Sequence, residues 1–185
     1  HDCLIELREA LEKIGAPLII RTGSVTDIFS DLSNQFDIEQ IYAHEETGND
    51  WTYKRDKDVI KWCRDNSIRF TEHPSNGIVR RLKSRDEGSK IRNKRMAQPC
   101  LSKPASLNSV KDIELGSLPE KSDTLFDHPV PGITQPGGRK NAVKTLTSFL
   151  NTRGKDYVYR LSAPGPSEKY CSRLSPHLVW GTLSV

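Results

Sequence analysis

At 185 residues the chain is long enough for one domain, or one and a half, with a proper core. Its 35% hydrophobic and 28% charged content describes a soluble globular protein and excludes a disordered one. No run approaches a membrane span and no signal segment opens the chain. The formal net charge of +4 admits nucleic acid as a partner without demanding it.

Leu4, Leu7, Leu11 and Ile14 recur at helical spacing, and Gly15 ends the helix they predict. "PLIIR", Pro17 to Arg21, reads as a short buried strand, and "TGSVTDIF" turns from it into a helix around Ile28 to Leu32. "IEQIYAH", Ile38 to His44, is a second strand. A polar loop leads to a helix from about Arg55 to Asp65 that turns Val59, Ile60 and Cys63 inward, and "IRFTEHP", Ile68 to Pro74, is a third strand. This alternation is the grammar of a parallel α/β sheet. Only three strands are visible where such sheets carry about five or six, so the chain is expected to enter the domain part-way, its native start preceding His1. From about Pro99 to Gly137 the composition shifts to Pro, Ser and Gly, predicting a surface linker with little regular structure that a protease cuts first. Helical periodicity returns in "GGRKNAVKTLTSFL" at Ala142, Leu146 and Phe149.

Cys3, Cys63, Cys100 and Cys171 are scattered, with no histidines at ligand spacing, so neither a metal site nor a disulfide framework is indicated; free thiols in a reducing cytosol are the plain account. Glu45, Glu46 and Asp50 suggest either paired carboxylates or a metal or, more commonly, a solvated loop with an acidic helix start. Arg80, Arg81, Lys83, Arg85, Lys90, Arg92, Lys94 and Arg95 either track a nucleic-acid backbone or form a solvated basic face, and the absence of aromatic stacking residues favours the latter. Near the end, Ser175 suits an N-cap and Pro176 the first helical position. Ser172 and Arg173 add a hydroxyl and a forked cation, as a phosphate site requires. A capped core helix is the commoner use of Ser-Pro. No phosphate-binding glycine loop, zinc-protease motif or hydrolase elbow occurs.

Taken in order, "HEETGNDWTYKRD", "NGIVRRLKSRD", "KRMAQP", "GGRKNAVKTLTSFLNTRGKDY" and "CSRLSPHLVWGTLS" resemble the photolyase and cryptochrome family over nearly the whole chain. The resemblance implies an α/β fold class. A partial parallel-sheet, Rossmann-like amino-terminal antenna domain (1–98) is followed by an interdomain linker (99–136) and the beginning of an all-helical FAD-binding domain (137–185). It implies FAD as cofactor, with Cys171, Ser172, Arg173, Leu174 and Ser175 wrapping the flavin phosphates and Tyr157 as a further phosphate-side contact. Cys171 stands where many relatives carry threonine, and "RDEGSKIRN" lacks the tryptophans that often follow the Arg-Asp pair. Trp51 and Thr52 fall in the loop bordering the antenna pocket, whose chromophore, folate or flavin, is unreadable. The implied function is that of a cytoplasmic, monomeric deoxyribodipyrimidine photo-lyase acting on pyrimidine dimers in damaged DNA, by electron transfer from reduced FAD under blue light. The alternative is a cryptochrome-type photoreceptor without repair. No catalytic residue is assigned, because groups contacting the flavin ring, adenine and lesion are expected beyond Val185. This stretch alone is expected to bind FAD weakly and to split no dimers.

Overall fold

The structure is a computed structural model and describes residues 1–74, 78–118 and 135–184. In chain order its elements are α1 (Asp2–Glu12), α2 (Val25–Ser33), β1 (Gln40–His44), α3 (Asp50–Asp65), β2 (Arg69–His73), α4 (Arg85–Met96), α5 (Arg139–Asn151), a 3₁₀ turn (Arg153–Asp156), α6 (Tyr157–Arg160), α7 (Pro164–Tyr170) and α8 (Ser175–Val179). Two compact units form: His1–Ile20 with Pro104–Val185, and Arg21–Lys103. No helix among the described residues is long and apolar enough to cross a membrane.

The Arg21–Lys103 unit is built on a β-α-β crossover. β1 and β2 pair in parallel, Gln40 opposite Arg69 through His44 opposite His73, which only a long connection permits; α3 is that connection. Asn49, in extended backbone, caps α3 by accepting from the Thr52 amide, and Asp50 in the first turn suits the positive end of the helix dipole. The helix therefore starts at Asp50, five residues before the expected start at Arg55, and it carries Trp51 and Thr52 on its first turn instead of in a loop. Val59 and Cys63, four apart, share the inward face and are 6% and 1% exposed. With Ile68 they form the core, against which Val25, Phe29, Ile41, Trp62 and Phe70 pack. Ile60 lies about 100° round the helix from Val59 and is exposed, contrary to the inward position expected of it. The Trp62 indole N–H donates to Ser30 Oγ at 2.9 Å, and its ring tilts against Phe29 at 5.6 Å, so α2 is tied to α3 by one polar and one aromatic contact.

The expected strand at Pro17–Arg21 does not form. Among the described residues the sheet has two strands. A strand requires a neighbour in register, and among the described residues this segment joins no ladder: Arg8 donates from Nε to the Leu18 carbonyl at 3.1 Å, while the Ile20 amide donates to the Leu115 carbonyl at 2.8 Å. These bonds satisfy the backbone without a ladder. Gly15, at φ +94°, ends the α1 region where a Cβ would stand 2.7 Å from the Leu107 carbonyl oxygen. Leu107 returns the contact by donating its amide to the Ile14 carbonyl. Residues 100–118 contain neither helix nor strand; the remainder of the expected linker, up to 134, lies outside the described residues.

Cys63, pushed up in pKa by burial, marks the tightest point of this core. Cys63→Ser places a hydroxyl in that apolar surround and is expected to lower stability by about 1–3 kcal/mol. Cys100→Ser, at an exposed position, should stay within about 0.5 kcal/mol. Urea unfolding followed by circular dichroism compares the two.

Candidate functional site

The carboxy-terminal helices converge on one side chain. Arg153 follows α5, and its guanidinium donates to the carbonyls of Thr145 (3.1 Å), Lys169 (3.3 Å) and Ser172 (3.2 Å), to the Cys171 carbonyl and to Ser148 Oγ at 3.0 Å. It thereby pins the Cys171–Ser172 backbone to the end of α5. Gly154 makes that return possible, since a Cβ there would sit 2.7 Å from the Phe149 carbonyl oxygen. Arg173 follows in left-handed backbone at φ 59°, a conformation that costs a non-glycine residue about 1 kcal/mol or more and persists only where neighbours hold it. Gln135 Nε2 donates to the Arg173 carbonyl at 2.9 Å, and Arg173 Nη1 donates to the Glu168 carbonyl at 2.9 Å.

A hollow of about 420 Å³ opens beside this segment, lined by Lys144, Arg153, Glu168, Lys169 and Arg173 together with Gln135, Asn141, Thr145 and Ser148. Four cations face one carboxylate there, flanked by amide and hydroxyl donors. The excess of positive charge in such a set favours an anion over a cation, and among the described residues no group of His, Cys, Asp and Glu is placed to hold a metal.

Of the residues singled out in the sequence, only Arg173 lines the hollow. Cys171 and Ser172 adjoin it through the carbonyls that Arg153 holds, and Ser172 Oγ accepts from the Leu174 amide over a long 3.5 Å. Leu174, not Ser175, occupies the N-cap position of α8. Ser175 is the first helical residue and makes no cap bond, because the chain already turns at Leu174 (φ −91°, ψ −17°). α8 has five residues, too few for a strong dipole, so anion recognition here rests on side chains. Tyr157 lies apart, its ring set edge-on against Phe149 at 5.6 Å. The residue missed was Arg153. Its signal was the "RG" inside the quoted motif, an arginine whose glycine neighbour permits a close return.

In the other unit, the carboxylates after β1 are occupied by guanidiniums. Arg55 Nη2 donates to Glu46 Oε2 at 3.0 Å and to Asp56 Oδ1 at 2.7 Å. The Gly48 amide bonds to Glu46 Oε1, and chiefly this bond, with Thr47 and Arg55 assisting against desolvation, holds Glu46 below the usual carboxylate range. Arg80 grips Glu72 through two bonds of 2.9 and 2.7 Å and stands 4.0 Å from Glu45. The acidic loop is thus a paired structural element and Asp50 a helix start. Trp51 is 72% exposed and borders a hollow of about 530 Å³ with Ser24, Thr26, Lys54, Arg55 and Asp58; Thr52 is not among its lining residues.

The DNA photolyase family model matches residues 1–93, half of the chain. The chain belongs to this family. Its fold matches a bacterial class III photolyase from Agrobacterium tumefaciens with a TM-score of 0.71 at 20% identity, over 100% of this chain and 41% of that one. It matches the Synechocystis sp. PCC6803 cryptochrome equally, with a TM-score of 0.72 at 20% identity over 99% and 41%. The chain therefore spans about two fifths of the length of these structures, and at such identity the likeness concerns the fold. No match was found among curated protein sequences. Proteins of the photolyase and cryptochrome family generally bind FAD, and photolyases act on damaged DNA.

Arg153→Ala leaves five acceptors without their donor and is expected to cost about 2–4 kcal/mol of stability. Arg153→Lys keeps the charge without the fork and should recover less than half of that, as measured by urea denaturation. Because the Glu46 pKa is depressed on folding, the stability it contributes is present above the ordinary glutamate range, about 4.3, and is lost as pH falls through the lower folded value. Glu46→Gln should flatten that acid limb in pH-dependent thermal melts.

Proposed function

We infer that this chain is part of a flavoprotein whose Cys171–Ser175 segment lies against the phosphates of FAD, and that the whole protein repairs pyrimidine dimers in DNA under blue light. The observation that carries this reading is the hollow in which Lys144, Lys169, Arg153 and Arg173 gather beside a backbone fixed by Arg153. These residues suit a diphosphate: two anionic charges meet four cations, and Arg173 offers a planar fork that matches phosphate oxygens. Arg173 and Ser172 would hold the cofactor on this side, with Lys144 and Lys169 screening its charge. Tyr157, as the structure stands, would support the site through Phe149. When bound in reduced form and excited by light, FAD supplies the electron that splits the dimer. This chain's own part is to bind and orient: the guanidinium of Arg153 keeps the segment from relaxing, so the donors are in place before the anion arrives.

On this reading the domain division is 1–98, 99–136 and 137–185, with an antenna chromophore of folate or flavin type beside Trp51 and Thr52. A photoreceptor without repair activity is the second reading, supported by the equal match to a cryptochrome.

Loss of Arg173 removes a charge-assisted contact of roughly 1.5–3 kcal/mol. Arg173→Ala should therefore weaken FAD binding about 10- to 150-fold, read from flavin fluorescence quenching. Unchanged affinity would displace the phosphate site from this segment. A dimer-repair assay under blue light on the longer protein separates repair from photoreception: FAD held without repair favours the photoreceptor.

A further inference from the structure

We propose that the arginine face of α4, with Lys83 just ahead of it, docks the sugar-phosphate backbone of duplex DNA independently of any lesion. It rests on the DNA-directed reading only in the choice of DNA over another polyanion.

The charge of the chain is concentrated here. Between Arg80 and Arg95 eight basic residues meet only Asp86 and Glu87, an excess of six where the whole chain carries +4, so the remainder is net acidic. Arg80 is spent on Glu72 and Glu45. By contrast, no described carboxylate pairs with Lys83, Arg85, Lys90, Arg92 or Lys94, and all five are exposed. No residue of α4 is buried. The helix is held instead by its ends: Ser84 Oγ accepts from the Asp86 amide at 3.3 Å, acids occupy the first turn, and Lys94 and Arg95 occupy the last.

The acids also sort the two faces. At about 100° per residue, Arg92 returns to within about 20° of Arg85, while Asp86 and Glu87 fall toward the Lys90 and Lys94 side. The Arg85–Arg92 face is thus acid-free, and those two residues are about 10 Å apart along the axis. Arg92 holds its guanidinium out beside Asn93, donating to Oδ1 at 3.0 Å. No aromatic side chain occurs between Ile78 and Met96, so there is no platform for unstacked bases. That leaves phosphate contact with a duplex, which is sequence-independent and salt-sensitive.

The test is fluorescence anisotropy of the full 185-residue chain with an undamaged, labelled 20-base-pair duplex, in the dark and without flavin, across a salt series. Since neither lesion nor cofactor is used, failure of the repair reading leaves this outcome unaffected. The triple variant Lys83→Gln, Arg85→Gln, Arg92→Gln should reduce the slope of log affinity against log salt by about 2–3, near 0.9 per phosphate contact. Its affinity at low salt should fall at least about tenfold, with the helical circular dichroism retained. The pair Lys90→Gln, Lys94→Gln on the opposite face should change the slope by less than half as much. Equal slopes for wild type and triple variant, an equal effect of the two sets, no duplex binding by the wild type, or tighter binding to anionic phosphatidylserine vesicles than to the duplex would each overturn the proposal.

Discussion

One guanidinium organises the carboxy-terminal helices. Arg153 sends its donors into carbonyls from α5, from the end of α7 and from the segment beyond. Each carbonyl would otherwise need water or another partner. Because the fork is planar, it fixes direction as well as distance, and Cys171 to Arg173 inherit a defined path from it. The left-handed turn at Arg173 is tolerable only because its flanks are held in this way.

The Arg21–Lys103 unit follows a different logic. Among the described residues its core is small, three buried residues ringed by half-buried aromatic and aliphatic neighbours. Polar pairing compensates at the carboxyl end of the two strands, where Arg55 and Arg80 take up Glu46, Asp56 and Glu72. Arg80 is raised further above its ordinary range, chiefly by its bond to Glu72. The end of a parallel sheet, where open α/β folds place ligands, is here lined by neutralised charges instead of free ones.

Legibility in the sequence followed the range of the interactions. Helices with a local stripe or cap, such as α1, α2 and α5, were readable because spacing four residues apart decides them. β1 and β2 were readable as a parallel pair because the α3 pattern lay between them. Pro17–Arg21 has the composition of a strand, but strand formation depends on a partner elsewhere in the chain, and composition carries no information about that partner. The cap at Ser175 failed by one residue for a related reason: the turn at Leu174 is set by Arg153 and Gln135, 21 and 39 residues upstream of it. Arg153 itself showed locally only as the "RG" of the motif, because the Ser172 carbonyl to which it donates lies 19 residues away. The family resemblance supplied the segment; the structure supplied what holds it.

Whether the Cys171–Arg173 segment is a phosphate cradle is tested by ³¹P NMR of FAD titrated with the chain, which reports the diphosphate even when binding is weak. If the segment cradles phosphate, the diphosphate resonances shift with added protein, and free riboflavin, which lacks phosphate, fails to compete. Diphosphate resonances that stay in place while the isoalloxazine protons shift would contradict it, placing the flavin elsewhere on the molecule.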